Sequence, residues 1–421
     1  MKIAVIGGGS TYTPELVEGL LERAKALQLK QLVLQDPDGS RLATVAGFCR
    51  RMAEAAGSPF EIVDTADRTE ALTGAGCVIL QLRVGGQQAR HRDIQLGLKY
   101  GLIGQETTGV GGFAKALRTL PVVLETCSDM VQICPDAWLI NFTNPSGLIT
   151  EGIQQATGLP AIGLCNIPYN FCAESARLLE VPPAEVELDY IGLNHLSWVR
   201  RVLLAGQDRL PDLLGRASKL HDGQRPEELD YPLEFLEALG AIPCSYLRYY
   251  YHTGKMLERL RSKDRDRAEE VMEIEQKLLE IYADESVTTK PDTLNQRGGA
   301  DYSRAAVDLI DSLVNNKREI HVVNIRNNNA VTGLTTEAVV EIPCLINAYG
   351  AHPLDVGDVE IQFLSLMQQV KAYEQLTIKA VLENSRKAAL QALIIHPLGP
   401  SADHTPALLD ELLDTNGIKL D

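Results

Sequence analysis

The sequence predicts an α/β protein whose N-terminal part is a doubly wound parallel sheet. A short apolar run at residues 3–6 is followed at once by three glycines and a helical pattern, and short β-branched runs then alternate with helical patterns. Uninterrupted apolar strands are typical of parallel sheets, because helices cover both of their faces. With 421 residues, 45% of them hydrophobic, the chain is long enough for two joined domains. We expect the first at residues 1–170 and a second, α+β domain at residues 171–421.

Charge and cysteine content restrict the partners and the compartment. The formal net charge is -16, so long-range repulsion opposes nucleic acid and anionic membrane surfaces as partners. An anionic small molecule would need a locally basic pocket. The eight cysteines have no paired spacing, which favours reduced thiols over a disulfide framework. No apolar run reaches transmembrane length, and the first apolar run is too short for a signal peptide. We therefore expect a cytoplasmic protein.

The first 36 residues have the pattern of a βαβ unit that binds a dinucleotide. The glycine turn lets the backbone approach a pyrophosphate, and the helix that starts near Pro14 and Glu15 offers unpaired N–H groups to it. A second strand at residues 31–34 leads to Asp36, whose carboxylate suits the ribose of NAD and disfavours NADP. The pattern departs from G-x-G-x-x-G at Tyr12. The residues that we expect to bind NAD in this Rossmann-like domain are Gly7, Gly8, Gly9, Ser10, Thr11 and Asp36.

Three further predicted strands end in polar residues. The strands lie at residues 76–82, 138–142 and 161–164, and helical spacing is present at 115–133 and 146–157. Ligands of doubly wound sheets bind beyond the carboxyl ends of the strands. The polar residues at these ends are Arg83, Arg90 and Arg92, then Asn141, Thr143 and Asn144, then Cys165 and Asn166.

Two later stretches complete the predicted site. The glycines at residues 100–112 suggest that Glu106 lies in a loop that closes over a ligand, although a flexible surface turn has the same composition. Alternation at residues 187–198 predicts a strand that delivers Asn194 and His195. The second domain should contain helices around a smaller sheet. We expect the helical pattern at residues 355–394 to pack back onto the rest of the chain.

Cysteine, histidine and tyrosine side chains supply the candidate chemistry. Cys165 and His195, at the junction of the two predicted domains, offer soft and borderline ligands to a divalent metal, but a buried thiol and a satisfied core histidine are the ordinary alternative. Residues 242–256 hold four tyrosines, which suit an aromatic helix face or, beside a metal, a base. Arg267 lies in a helical pattern that by itself indicates a solvated charged face, and Arg297 is placed as an anion contact would be.

Seven motifs together resemble glycoside hydrolase family 4. They are GGGSTYTPE at residues 7–15, ARHRD at 89–93, GQETTGVGG at 104–112, NFTNP at 141–145, CNIP at 165–168, GLNHLSW at 192–198 and YLRYY at 246–250. They occur in the family order over most of the chain. This family is an NAD-dependent exception to glycosidase chemistry with two carboxylates.

The resemblance assigns roles to individual residues. Cys165 and His195 match the metal ligands, usually for Mn²⁺, Tyr246 matches the base, and Glu106 matches the acidic residue that raises the reactivity of the tyrosine. The matching sugar and sugar-phosphate contacts are Arg90, Asn144, Asn166 and Arg267. Members that act on 6-phospho-α-glucosides have aspartate in place of Asn166, where it serves as an acid. Because an amide cannot donate a proton as an acid does, Asn166 indicates the 6-phospho-β-glucosidase branch and leaves the acid unassigned.

The implied reaction is hydrolysis of a phosphorylated disaccharide or an aryl β-glucoside 6-phosphate. It proceeds by oxidation at C3 with NAD, removal of the C2 proton, elimination of the aglycone, addition of water and reduction, without net redox change. The resemblance also implies a homodimer or homotetramer. Three alternatives remain open. They are a family member specific for α-galactosides or α-glucuronides, an NAD-dependent 2-hydroxy-acid dehydrogenase with the same lactate-dehydrogenase-like topology, and a non-catalytic NAD-responsive regulator.

Overall fold

The structure is a computed structural model that describes residues 1–220, 226–297 and 302–421. Its strands form one large sheet and one small sheet. The strands are β1 (Lys2–Ile6), β2 (Gln31–Gln35), β3 (Glu61–Thr65), β4 (Cys77–Leu80), β5 (Trp138–Asn141), β6 (Ala161–Gly163), β7 (Val186–Leu193), β8 (Leu196–Leu204), β9 (Gln207–Asp208), β10 (Ile242–Pro243), β11 (Glu319–Arg326), β12 (Val339–Asn347) and β13 (Gly350–Pro353).

Helices cover both faces of the large sheet and surround the small one. They are α1 (Thr13–Arg23), α2 (Gly39–Ala55), α3 (Arg68–Leu72), α4 (Gly86–Lys99), α5 (Gly109–Ile133), α6 (Ser146–Thr157), α7 (Ile167–Leu179), α8 (Leu210–Ala217), α9 (Leu233–Leu239), α10 (Arg248–Tyr251), α11 (Thr253–Arg261), α12 (Arg267–Ala283), α13 (Tyr302–Asn315), α14 (Ile361–Leu382), α15 (Arg386–Ile395) and α16 (Thr405–Asn416). None of the helices in the described ranges combines the length and apolar character of a membrane span.

The predicted doubly wound parallel sheet is confirmed. Six parallel strands have the order β3-β2-β1-β4-β5-β6. The strands that follow β1 are added first on one side of it (β2, β3) and then on the other (β4, β5, β6), so the strand order reverses at β1. The five predicted strands lie where the apolar runs place them. Strand β3 was not predicted, because only one of its five residues is buried and its apolar pattern is weak. Since ligand crevices form where the strand order reverses, the end of β1 is the expected place for a binding site.

The large sheet continues into the C-terminal half of the chain. Strands β11, β12 and β13 extend it in antiparallel fashion, and Asn324 of β11 pairs with Gly163 of β6. The boundary near residue 170 stays a prediction, although the sheet itself crosses it. The helical pattern at residues 355–394 forms two helices, α14 and α15, and α14 packs back against α5. The smaller sheet contains β7, β8, β9 and β10.

The prediction of one strand at residues 187–198 is wrong. Two antiparallel strands, β7 and β8, are joined by a turn at Asn194 and His195, and His195 has a φ of 61°. The turn contains neither glycine nor proline, so composition does not reveal it. A non-glycine residue in the left-handed region costs about 1–2 kcal/mol. The two candidate residues therefore lie in a strained turn and not in a strand.

The predicted ligand-closing loop at residues 100–112 is only partly a loop. Helix α5 begins at Gly109, and its first turns pack against the backbone of the preceding segment. A Cβ on Gly111 would lie 2.0 Å from the carbonyl oxygen of Gln105, and a Cβ on Gly112 would lie 2.6 Å from the carbonyl of Thr107. These glycines thus permit close packing behind Glu106 and do not indicate a flexible closure.

We expect Gly192→Ala to destabilise the protein by about 2–5 kcal/mol, because strain and overlap add. Gly192 has a φ of 153°, and a Cβ there would lie 2.4 Å from the carbonyl oxygen of Leu196. The measurement is the free energy of unfolding in urea. Gly215→Ala in α8 is the control, since nothing lies within 4 Å of its Cβ, and it should stabilise the chain by about 0.5–1 kcal/mol. Equal effects of the two substitutions would contradict this interpretation of the hairpin.

Candidate active site

One large cavity of about 1010 Å³ lies beyond the carboxyl ends of the parallel strands. Its volume suits a dinucleotide together with a small sugar. Of the predicted site residues, those in its lining are Gly7, Gly9, Ser10, Asp36, Arg90, Glu106, Asn144, Asn166, His195, Tyr246 and Arg267. Within the described part of the chain, Gly8, Thr11 and Cys165 do not contribute to this lining. The structure therefore brings the two halves of the predicted site into one space.

The glycine turn after β1 is too tight for side chains. Gly7 has a φ of 92°, and a Cβ there would lie 2.8 Å from the carbonyl oxygen of Gln81. A Cβ on Gly8 would lie 2.8 Å from the Leu34 side chain, which explains why Gly8 packs against β2 instead of facing the cavity. Helix α1 follows directly, with Pro14 and Glu15 in its first turn as predicted. The turn is thus a backbone cradle of the kind that accepts a pyrophosphate.

Asp36 closes the nucleotide end of the cavity. Its Oδ2 accepts a hydrogen bond from the Gly9 N–H at 3.1 Å, and its Oδ1 accepts from the Asp38 N–H at 3.0 Å. The carboxylate is thereby fixed beside the glycine turn, where a ribose would lie. Thr11 has a different environment: it is fully buried, and its carbonyl oxygen accepts from the Tyr282 hydroxyl at 2.9 Å. Thr11 therefore lies behind the cavity lining, and its contact with the nucleotide stays a prediction.

Three cations converge on Glu106. Arg83 donates to Oε2, Lys115 Nζ lies 3.0 Å from the same oxygen, and Arg90 Nη2 lies 3.1 Å from Oε1. Burial alone would raise the pKa of Glu106, but these charges hold that pKa well below its usual range. Burial also lowers the pKa of Lys115 to about 8. Glu106 is therefore ionised, and it holds the side chains of Arg83, Arg90 and Lys115 together in a cluster whose net charge is positive.

Tyr246 and His195 lie face to face. Their ring centroids are 3.8 Å apart and the ring planes are parallel. Tyr246 belongs to a short 3-10 turn at Ser245–Leu247 that precedes α10, so the predicted aromatic helix face begins only after it. Burial raises the pKa of Tyr246, and the negative charge of Glu106 raises this pKa further. A phenolate formed here would be a stronger base than one in water, but a nearby cation is needed to form it at neutral pH.

Asn194 adjoins both predicted metal ligands, of which His195 lines the cavity and Cys165 lies behind the lining. The Asn194 side chain lies beside the Cys165 sulfur, and Asn194 precedes His195 in the turn. Burial lowers the pKa of His195 to about 3, so its imidazole is neutral, as a metal ligand must be. Its Nδ1 lies 3.1 Å from the Thr107 hydroxyl, the kind of contact that fixes the tautomer of a ligating histidine. Burial raises the pKa of the Cys165 thiol well above its usual range, so its thiolate needs a cation beside it. This donor set fits a divalent metal.

Three cavity groups have unused hydrogen-bonding capacity. In the described ranges, Gln81 Oε1, Arg90 Nε and Asn144 Oδ1 are buried in the cavity lining and have no hydrogen-bond partner. Such orphaned atoms are expected where a ligand supplies the partner. Arg267 also lines the cavity, although its side chain is 40% exposed, and it donates to the carbonyl oxygens of Gln296 and Arg297. The interpretation of Arg267 as a plain solvated face is therefore wrong.

Sequence reasoning missed the charged partners that hold these residues. Glu275 of α12 accepts from Arg41 at 3.0 Å and from Arg297 at 3.1 Å, and Arg41 also donates to the carbonyl oxygen of Gly9 at 2.8 Å. Arg297 is therefore paired with a carboxylate and is not a free anion contact. Lys115 was part of an ordinary helical pattern, so no local pattern distinguished it. These partners are far apart in sequence, and only the fold brings them together.

One cluster of possible metal ligands serves a structural purpose. His91, Asp266 and Glu269 lie close together outside the cavity lining of the described chain. Asp266 caps α12 by accepting from the N–H groups of Ala268 and Glu269, and His91 Nδ1 lies 2.7 Å from the same carboxylate. The cluster thus ties α4, which carries Arg90, to the start of α12.

Known proteins are similar to this chain over nearly its whole length. The sequence model for "Family 4 glycosyl hydrolase" matches residues 2–181, and that for its C-terminal domain matches residues 190–399. A probable 6-phospho-beta-glucosidase of Bacillus subtilis is 40% identical over 99% of this chain and 96% of its own length. The 6-phospho-beta-glucosidase BglT of Thermotoga maritima is 41% identical over 99% of this chain and 98% of its own length.

Solved structures extend these comparisons. The Thermotoga maritima 6-phospho-beta glucosidase with manganese, NAD+ and glucose-6-phosphate has a TM-score of 0.94 at 40% identity and covers 100% of both chains. Malate dehydrogenase of Plasmodium falciparum has a TM-score of 0.57 at 14% identity over 91% of this chain and 99% of its own, which confirms the lactate-dehydrogenase-like topology of the fold alone. The extent of both family matches and the full-length identity lead to one conclusion: the chain belongs to family 4 of the glycosyl hydrolases.

Proposed function

We propose that this protein is a 6-phospho-β-glucosidase that uses NAD and a divalent metal, Mn²⁺ in the first instance. Its substrates are 6-phospho-β-glucosides such as cellobiose 6-phosphate, and its products are glucose 6-phosphate and an aglycone. The observation that carries the proposal is the single cavity, which joins the nucleotide cradle at Gly7 and Asp36 to His195 and Tyr246. The full-length similarity to 6-phospho-β-glucosidases supports the substrate class.

The phosphate of the substrate is assigned to the basic part of the cavity. Arg90 presents a buried, unpartnered Nε, and Arg267 contributes a second guanidinium from the start of α12. Asn144, with its buried and unpartnered Oδ1, is placed to accept from a sugar hydroxyl. This arrangement meets the requirement that an acidic protein, with a net charge of -16, bind an anion through a locally basic pocket.

The residues of this chain perform the proton transfer and the positioning. When bound, NAD supplies reversible oxidation at C3 of the sugar, and a divalent metal held by Cys165 and His195 supplies polarisation of the neighbouring oxygens. Tyr246, stacked on His195, is assigned as the base that removes the C2 proton. Glu106 raises the basicity of its phenolate through its negative charge. Asn166 lines the cavity and has no acidic proton, so we assign it to substrate hydrogen bonding.

The test is release of p-nitrophenol from the 6-phospho-β-glucoside, the 6-phospho-α-glucoside and the unphosphorylated β-glucoside. Each substrate is assayed with and without NAD⁺ and Mn²⁺, after bound nucleotide has been removed. We expect turnover of the first substrate alone, and only with both additions. Turnover of the β-anomer without NAD⁺ would overturn the mechanism and the roles of Tyr246 and the metal pair.

The alternative functions are not favoured. An NAD-dependent dehydrogenase shares the fold, but the malate dehydrogenase match is only 14% identical. It would consume NAD stoichiometrically, whereas the proposed reaction returns the cofactor unchanged. The relatives with 40% identity or more are 6-phospho-β-glucosidases, which disfavours α-galactosides and α-glucuronides as substrates.

The compartment and assembly are part of the same proposal. All eight cysteines are free thiols, which supports a reducing compartment such as the cytoplasm. A phosphorylated substrate supports the same location, since it is expected inside the cell. We also propose a homodimer or homotetramer, on the family resemblance alone.

A further inference from the structure

A buried carboxylate that sequence analysis did not single out supports the turn that carries His195. Glu341 of β12 has no exposed surface. Its Oε1 accepts from Asn194 Nδ2 at 3.0 Å and from Asn324 Nδ2 at 2.9 Å, and its Oε2 accepts from the Tyr190 hydroxyl at 2.8 Å. These partners are all neutral, and none of the ion pairs found among the described residues includes Glu341. Buried carboxylates are ordinarily paired with a cation or lie beside a metal.

Asn194 connects this carboxylate to both predicted metal ligands. Its Nδ2 donates to Glu341, and its Oδ1 accepts from the Ser146 N–H at 3.1 Å. Its side chain also lies beside the Cys165 sulfur, and His195 is the next residue in the chain. A change in the orientation of Asn194 would therefore move the two ligands relative to each other.

The turn has a conformation that needs such support. His195 has a φ of 61°, and strained backbone of this kind persists only where the surroundings fix it. Helix α6 packs directly on the turn, since a Cβ on Gly147 would lie 3.0 Å from Asn194 Cβ and 3.3 Å from Asn324 Oδ1. The turn is thus held between α6 on one side and Glu341 on the other.

We propose that Glu341 is a positioning residue for the metal site, because it accepts from Asn194 and so fixes the geometry of Cys165 and His195. The proposal rests on the proposed function, in which these two residues hold the divalent metal. Strand β11 pairs with β6 at Gly163 and with β12, where Asn324 lies opposite Glu341, so this extension of the sheet places both side chains next to the end of β6.

The test is the affinity of the full-length protein for Mn²⁺ with NAD⁺ present, measured by the electron paramagnetic resonance of the free ion. We expect Glu341→Leu to weaken Mn²⁺ binding about 10- to 100-fold, because outer partners of metal ligands have effects of this size. Glu341→Gln should stay within about fivefold of the wild type, since its amide oxygen still accepts from Asn194 and its NH₂ group can donate to Tyr190. The affinity for NAD⁺ should change less than about twofold in both variants, because the cradle is remote from β12.

Two further variants distinguish an effect on the metal site from a general loss of stability. Asp311→Leu removes another buried carboxylate, which accepts from Asn315 at 2.6 Å, and should lower the melting temperature without changing the affinity for Mn²⁺. Cys165→Ser is the reference for loss of a ligand. If Cys165→Ser loses Mn²⁺ binding while the Mn²⁺ affinity of Glu341→Leu stays within about threefold of the wild type, only our inference about Glu341 is overturned. An equal loss in Glu341→Gln and Glu341→Leu also overturns it. If Cys165→Ser binds Mn²⁺ as the wild type does, the metal site of the proposed function fails first.

Discussion

Tyr246→Phe is expected to lower kcat on p-nitrophenyl 6-phospho-β-glucoside by about 10²- to 10⁴-fold, the range of a lost general base. The substitution removes one oxygen and keeps the ring that stacks 3.8 Å from His195, so the site should keep its shape. For this reason KM and the affinities for NAD⁺ and Mn²⁺ should change little. A second measurement is the exchange of the C2 proton of glucose 6-phosphate with D₂O, followed by NMR, which should stop in the variant.

Tyr249→Phe is the matched control for this substitution. Tyr249 belongs to the same run and lies edge-on to Tyr246 with ring centroids 6.1 Å apart, but it is not part of the cavity lining of the described chain. It should keep kcat within about threefold, since it touches no reacting atom. A Tyr246→Phe variant with kcat equal to that of the control would remove Tyr246 from the mechanism.

Cys165→Ser is expected to reduce metal-dependent kcat/KM by at least about 100-fold, the upper range for loss of an outer partner of a metal ligand. Serine has nearly the same shape, but its hydroxyl does not ionise at neutral pH and is a poor ligand for Mn²⁺ compared with a thiolate. Burial raises the pKa of the Cys165 thiol, so only a bound cation would make the thiolate available. The loss should therefore appear directly in a Mn²⁺ titration, independently of turnover.

Cys344→Ser tests whether any buried thiol gives the same result. Cys344 is fully buried in β12, and its sulfur lies 3.4 Å from the carbonyl oxygen of Ile342. This variant should lose some stability and keep the affinity for Mn²⁺. Wild-type affinity in Cys165→Ser, or an equal loss in both variants, would contradict the role of Cys165 as a ligand.

The nucleotide half of the site was predictable because its determinants are local. Three glycines, a helix start and Asp36 follow one another within 36 residues, and the fold places them as the pattern indicates. The turn at Asn194 and His195 was not predictable, since no glycine or proline marks it and packing against α6 and β12 imposes its φ. The prediction of a flexible loop at residues 100–112 was partly wrong for a related reason. Glycine permits both a flexible loop and a close helix contact, and sequence alone does not distinguish these.

The charged network was beyond sequence reasoning for a different reason. Glu106 finds its partners in Arg83, Arg90 and Lys115, which lie 9 to 23 residues away on separate elements. Glu275 pairs with Arg41 across 234 residues. Sequence analysis singled out Arg83, Arg90 and Glu106 but could not pair them, because the pairing follows only from how the elements pack.

The join between β6 and β11 has a consequence for synthesis of the chain. Strand β6 ends at Gly163, and the strand that covers its open edge begins at Glu319. While a ribosome extends the chain between these points, the nascent protein presents an uncovered sheet edge of the kind that recruits foreign strands. The turn at Asn194 and His195 also lacks its contact with Glu341 during this interval. The edge of the parallel sheet at β6 is therefore covered only after the chain has been made beyond residue 319.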